Sequence, residues 1–224
     1  MPAIVWDAIG EKKYELGVDH GVLAVVEGTT YGTPVAWNGL ISVTESPSGA
    51  EANKNYADNI EYANILSAEE YGATIEAYTY PDEFKPCDGC AEIVEGVTIG
   101  QQNRAKFGFS YRTKIGNDTE GQEHGYQIHM IYGAQASPSE RAYNSVNDSP
   151  EINTLSWEIT TTPIPVPGFK PTASLVLDST VLGPEKMKII EDTLYGTEGE
   201  TGTAAKFLLP SEIADLLNAT TPQG

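Results

Sequence analysis

Along most of the 224-residue chain, apolar and polar side chains alternate one by one instead of recurring at helical spacing. That pattern predicts a β-rich domain. The clearest strand spans 104–114, where Phe107, Phe109 and Tyr111 fall on one face and Arg104, Lys106, Arg112 and Lys114 on the other. Period-2 geometry makes this an aromatic core face and a cationic surface face. A partner strand follows over 126–132, with Tyr126, Ile128, Met130 and Tyr132 alternating with Gln127 and His129. The intervening 116–125 is rich in turn formers and predicts a hairpin with a long polar tip. Alternation returns at Leu155, Trp157 and Ile159 and at Ala173, Leu175 and Leu177. Strands are also expected over 73–80, ended by Pro81, and more weakly over 60–66. The four prolines of 162–171 predict an extended connector that cannot sustain a full ladder.

One long helix is expected near 184–195. Pro184 suits its first position, Met187, Ile190 and Leu194 share one side, and Gly196 stops it. The polar, glycine-bearing 197–203 follows, then a short helix around 211–217. The organisation read from this is one β domain over 1–203 and an arm or short helix over 204–224 that leaves the body.

Charge narrows the function classes. The formal net charge is −19, from 13 basic and 32 acidic side chains, which opposes binding to nucleic acid phosphates. The imbalance is uneven: 45–95 holds 12 acidic residues against Lys54 and Lys85, whereas 96–117 holds no acid and four cations. No run approaches the ~20 apolar residues of a membrane helix. The first ten residues carry Asp7 and no basic leader, so the expectation is a protein folded in a cytoplasm and free of membrane.

Candidate chemistry is sparse. Cys87-Asp88-Gly89-Cys90 has the spacing of half a zinc site or a redox pair, but no second such pair exists, and acidic neighbours disfavour thiolate. His20, His124 and His129 are not at ligand spacing. Gly108-Phe109-Ser110 continues into Tyr111 and Arg112 and so departs from a nucleophile elbow. Asn117, Asp118, Glu120 and Glu123 depart from the calcium-loop pattern. Glu69 and Glu70 are adjacent and point apart. Trp6, Trp37 and Trp157 read as core or interface anchors. The reading is of a protein that is not an enzyme and carries no cofactor or metal.

Several strings taken together resemble the major tail, or tail tube, proteins of siphoviruses and related prophages. They are GVDHGVL at 17–23, AWNGL at 36–40, TESPSGAE at 44–51, YADNIEY at 56–62, EAYTYPDEF at 76–84, GQQNR at 100–104, GNDTEG at 116–121 and VNDSPE at 146–151. The resemblance covers about 10–170 and rests on the number and order of strings. It implies a mainly β fold of two packed antiparallel sheets flanked by a helix, with six copies closing into a hexameric ring and rings stacking into a hollow tube. The implied partners are other copies of the chain, the tape measure protein and the tail terminator and distal tail proteins. DNA would pass through without specific binding, and the location would be the virion tail after assembly in the host cytoplasm. A competing reading is a monomeric β-sandwich binding module on a virion or cell surface.

Within the tube reading, the charge reversal assigns roles. Glu61 and Glu76 are expected to line the channel. Arg104, Lys106, Arg112 and Lys114 are expected at a subunit boundary, where opposite patches meet head to tail. Asn117, Asp118, Glu120 and Glu123 are expected on the ring-stacking loop.

Overall fold

The computed structural model, which describes residues 3–145, 148, 152–199 and 202–219, is mainly β. β1 (Tyr14–Glu27) receives two short strands, β2 (Thr30–Tyr31) and β3 (Val35–Trp37), and the chain then turns into β4 (Leu40–Glu45). It leaves the body through β5 (Ser48–Gly49) and β6 (Ala52–Ala57), returns through β7 (Ile60–Leu66) and β8 (Glu69–Glu70), and re-enters beside β4 as β9 (Gly72–Ala77). A 3-10 turn at Asp82–Phe84 precedes a small hairpin, β10 (Ala91–Val94) with β11 (Val97–Ile99). The central hairpin is β12 (Phe107–Asn117) with β13 (Gly121–Ala136); β14 (Leu155–Thr161) and β15 (Ser174–Asp178) follow. The helices are α1 (Ser179–Leu182), α2 (Pro184–Leu194) and α3 (Pro210–Ala219).

Among the described residues the main sheet has nine strands, ordered β2-β1-β12-β13-β14-β9-β4, with β15 on β13 and β3 on β1. The two layers are therefore parts of one sheet that folds over itself. The fold-over has a local cause in β13. Its residues 127–131 pair with β15, and its residues 134–136 pair with β14. Between them Phe107 faces Ala134 while Phe109 faces Ile131, which is one residue too many for a regular ladder. Gly133 sits in this bulge at φ 57°, and a Cβ there would lie 2.3 Å from the Thr162 carbonyl oxygen. A bulge bends its strand and inverts which residues face which side. Accordingly Ile131 enters the first core before it, and Ala134 and Ala136 enter the same core after it.

That first core lies inside the fold-over. Trp37 contacts Phe84, Phe109 and Trp157 at ring-centroid distances of 4.6, 5.4 and 5.5 Å, and Phe84 and Phe107 meet edge to face at 5.3 Å. The second core lies on the other side of β12 and β13, where Ile128, Met130, Tyr132 and Leu177 meet Met187, Ile190 and Leu194 of α2 and Phe207, Leu208 and Ile213 around α3.

The second core corrects two expectations. The even face of β12 is not a solvent face, because Ser110 is fully buried and Phe207 lies so close to Gly108 that a Cβ would come within 2.4 Å of its ring. The segment 204–219 likewise does not leave the body: its Phe207 and Leu208 are buried, and Tyr132 Oη donates to the Leu208 carbonyl at 3.0 Å. Glu212 accepts from the Leu209 amide at 3.0 Å, closing the start of α3. Residues 220–224 lie outside the described residues, as does most of the VNDSPE string.

Candidate assembly surfaces

A cluster of five exposed large apolar side chains belongs to the excursion between β4 and β9. Its ladder is nearly continuous: the Ser46 amide donates to Gly72, Ser48 pairs with Glu70, the Ala50 amide donates to Ala68, and β6 pairs with β7 up to Ala57 and Ile60. The turn is Asp58-Asn59, both left-handed at φ 52° and 64°, as two-residue hairpins require. At about 3.3 Å per residue the ribbon 46–71 extends roughly 40 Å from the body. Its large apolar side chains, Tyr56, Ile60, Tyr62, Ile65 and Leu66, are 61–78% exposed. A lone two-stranded ribbon is marginal in water, and clustered exposed apolar side chains mark an interaction surface. The arm also carries five acidic residues against Lys54.

A second exposed apolar stretch precedes β1. Ile4, Val5, Trp6 and Ile9 are all strongly exposed, Trp6 at 77%. This stretch is tethered to the tip of the central hairpin, where the Gly10 amide donates to Asp118 Oδ1 at 2.9 Å and Asn117 Nδ2 to the Gly10 carbonyl at 3.4 Å.

The expected stacking loop is not a long loop. β12 and β13 pair as far as Asn117 and Gly121, which leaves a connection of three residues. Asn117 is buried, and its Oδ1 accepts from the amides of Thr119 and Glu120 at 3.1 and 2.6 Å. Glu120 Oε2 lies 2.8 Å from His124 Nδ1. The turn formers satisfy one another, so β pairing continues where a loose tip was expected.

The four cations have four different surroundings. Arg104 lies before β12, donates to the Ala136 carbonyl at 3.2 Å and approaches Asp88 at 3.5 Å. Lys106 donates to Thr162 Oγ1 at 2.9 Å. Arg112 grips Asp19 with two bonds of 2.7 and 3.0 Å and lies over the Tyr126 ring at 5.3 Å. It holds the Asp19 carboxyl below the usual carboxylate range, chiefly through that hydrogen bond. The double bulge of β1 that presents Asp19 explains the GVDHGVL string, with Gly17 at φ 70° and His20 at φ 51°. Lys114 lines an open groove with Glu123, His124 and Tyr126 and has no ion pair among the described residues.

Glu61 and Glu76 are on separate parts of the molecule. Glu61 is near the tip of the arm, paired with Lys54 at 2.9 Å, whereas Glu76 is in β9 of the body and accepts from Ser42 Oγ at 2.8 Å.

Cys87 is buried in the first core, and burial pushes its thiol up to about 12, so it serves as a small apolar side chain. Between the two cysteines, Asp88 receives Arg141, Arg104 and Trp157 Nε1, the last at 3.2 Å. This knot ties the turn to β14 and to the segment after β13. Among the described residues no group of three His, Cys, Asp or Glu could hold a metal ion, and no helix is long and apolar enough to cross a membrane.

One cluster escaped the sequence reading. At the root of the arm, Tyr111 Oη donates to Glu45 Oε1 at 2.8 Å, and the His129 ring stacks flat on Tyr111 with centroids 4.6 Å apart. No spacing signals it, because Glu45, Tyr111 and His129 come from three strands.

Neither a protein-family model nor a curated protein matches the chain. Solved structures that it resembles include a chain of the anti-feeding prophage baseplate, at 7% identity and TM-score 0.36, covering 78% of this chain and 97% of that one. Another is a chain of the sheath–tube complex of an extracellular contractile injection system in its extended state, at 11% identity and TM-score 0.31, covering 78% and 94%.

Proposed function

We propose that the chain is a non-enzymatic structural subunit that self-associates into the tail tube of a long-tailed bacteriophage, as stacked rings of six around the tape measure protein and later around the passing genome. The observation that carries the self-association is the arm, 46–71, whose five large apolar side chains have no cover within one subunit. Burying such side chains against a neighbour gives ~1.5–3 kcal/mol each before ordering costs. The siphovirus-like strings support the tail assignment, two of them, TESPSGAE and YADNIEY, falling in or at the root of the arm. The net charge of −19 suits a conduit that must not hold phosphates.

The stacking element in this proposal is the arm, not the short tip at Asn117, Asp118, Glu120 and Glu123. Of the four cations Lys114 is the boundary candidate, because Arg104, Lys106 and Arg112 already serve internal contacts. Glu76 and Glu61 stay the channel candidates, and Glu61→Lys with Glu76→Lys is expected to permit assembly while slowing genome release. The deciding experiment is negative-stain microscopy with light scattering on the purified chain. Rings or hollow filaments are expected, and a persistent monomer at high concentration would instead favour a β-sandwich binding module.

A further inference from the structure

The root of the arm contains a buried histidine that none of the assembly features uses. His129 lies on β13 with its side chain only 13% exposed. Its Nε2 is 3.0 Å from Thr113 Oγ1, while its Nδ1 is buried without a hydrogen-bond partner, 3.7 Å from Glu45 Oε1. Glu45 is the last residue of β4 before the arm departs, and Tyr71 is the last before the chain re-enters as β9. Both roots are pinned: Glu45 by Tyr111 Oη, and the Tyr71 carbonyl by Thr161 Oγ1 at 2.6 Å. The Tyr71 hydroxyl is buried in the same cluster, where burial and Glu45 keep it protonated. In the neutral tautomer that donates Nε2–H to Thr113 Oγ1, Nδ1 is unprotonated and faces the nearer Glu45 oxygen just beyond bonding distance.

We propose that His129 is a proton-operated latch for the arm: protonation makes Nδ1 a donor to Glu45 and fixes the root of 46–71 against the body. The regulatory consequence rests on the arm being the assembly element, but the latch itself is a property of the single subunit.

The groups around His129 set the sign. Glu45 from β4 and the more distant Glu15 from β1 favour the charged ring; burial under Tyr111 disfavours it and holds the proton affinity below the ordinary histidine value. From β12 come the neutral Tyr111 and Thr113, from the arm root the neutral Tyr71, and β15 opposes His129 with the apolar Val176. Burial and Glu45 keep the Tyr111 hydroxyl protonated. Linkage is reciprocal: because a nearby Glu45 raises the proton affinity of His129, a bound proton must favour the arrangement in which Glu45 is near. Acidification through the lowered histidine value therefore closes the latch. Global stability moves the other way over the same range, because the unfolded chain binds this proton more readily than the folded one.

The test is hydrogen exchange of the isolated, unassembled subunit at pH 7.5 and pH 5, corrected for intrinsic rates, with His129 titrated by NMR in the same samples. Protection of amides at 45–51 and 67–72 is expected to rise about threefold or more at the lower pH, while the arm tip and the β10–β11 hairpin stay unchanged. His129→Gln and, separately, Glu45→Gln are each expected to abolish the rise. No change in root protection while His129 titrates, or an equal rise in either variant, overturns the latch. The readout needs no assembly, so a protein that never forms tubes could still show the latch, and a tube-former could lack it.

Discussion

The central hairpin and the arm are both antiparallel ribbons with tight, polar turns, yet they have opposite relations to water. β12 and β13 carry Phe109 and Ile131 into one core and Met130 and Tyr132 into the other, so every large apolar side chain is covered on one side or the other. β6 and β7 carry five large apolar side chains and cover none of them. The first ribbon is stabilised by its own subunit. The second is a strand pair whose large apolar side chains stay exposed in the single chain. Alternation alone does not separate the two cases, because it reports that a face will be buried and not what will bury it.

The comparison breaks first at Phe109. Phe109→Ala removes a fully buried ring that meets Trp37 and Tyr111 at 5.4 and 5.8 Å. A loss of ~3–5 kcal/mol is expected from such a truncation, read as a lower urea midpoint with unchanged slope. A loss under ~1 kcal/mol would mean that the fold-over is not the folding core.

Next in size is Arg112→Glu, at roughly 2–3 kcal/mol, between the values for exposed and buried pairs. It removes both bonds to Asp19 and the contact with Tyr126, and sets a second carboxylate beside Asp19. The expected defect is in the fold of the subunit, not in the ring boundary that the cationic pattern first indicated. A pH series separates the two. The folded value of Asp19 is depressed, so its contribution is present above the ordinary carboxylate value of about 4 and is lost as pH falls through the depressed one. The substitution should flatten that acid limb in monomeric protein. An unaltered limb with weakened assembly would restore the boundary role.

How far the sequence shows all this depends on which partner each face has. The aromatic face of Phe107, Phe109 and Tyr111 is legible because its cover comes from strands with the same period. The opposite face is misread, since its cover comes from Phe207 and α2, about 75–100 residues later in the chain, and Arg112 is an internal brace under that cover. Gly133 hides a parity change that no window of alternating residues reveals. In the arm, Tyr56, Ile60, Tyr62, Ile65 and Leu66 look like weak strand residues because Asn and Glu interleave them; their exposure shows only in three dimensions. The cluster of Glu45, Tyr111 and His129 is assembled by register across the fold and leaves no local trace.

At the tip of the central hairpin, Asn117→Ala is expected to cost ~1 kcal/mol, the scale of a buried side-chain hydrogen bond lost with its amide partners. Those partners are the amides of Thr119 and Glu120. Since Asn117 also holds Gly10, the substitution should raise hydrogen exchange at 8–12 as well as at 118–121. Unchanged exchange at 8–12 would show that Asp118 alone tethers the N-terminal stretch.

The smallest expected effect on the subunit is the one that bears most on assembly. Tyr62 and Leu66 both lie on β7 of the arm and are 78% and 65% exposed. Truncating side chains that touch mostly water changes subunit stability by less than ~0.5 kcal/mol, so Tyr62→Ala with Leu66→Ala should unfold at the parent's midpoint. If the arm is the surface that a neighbouring copy covers, the same double variant loses two anchors from every contact around and along the tube, and rings or filaments should be absent at concentrations where the parent assembles. Ile93→Ala in the β10–β11 hairpin is the matched control, since Ile93 is 63% exposed and apolar but lies outside the arm. Loss of assembly in the arm variant with retention in the control locates the interface on 46–71. Equal loss in both would indicate general surface adhesion, and retention in both would remove the arm from the tube altogether.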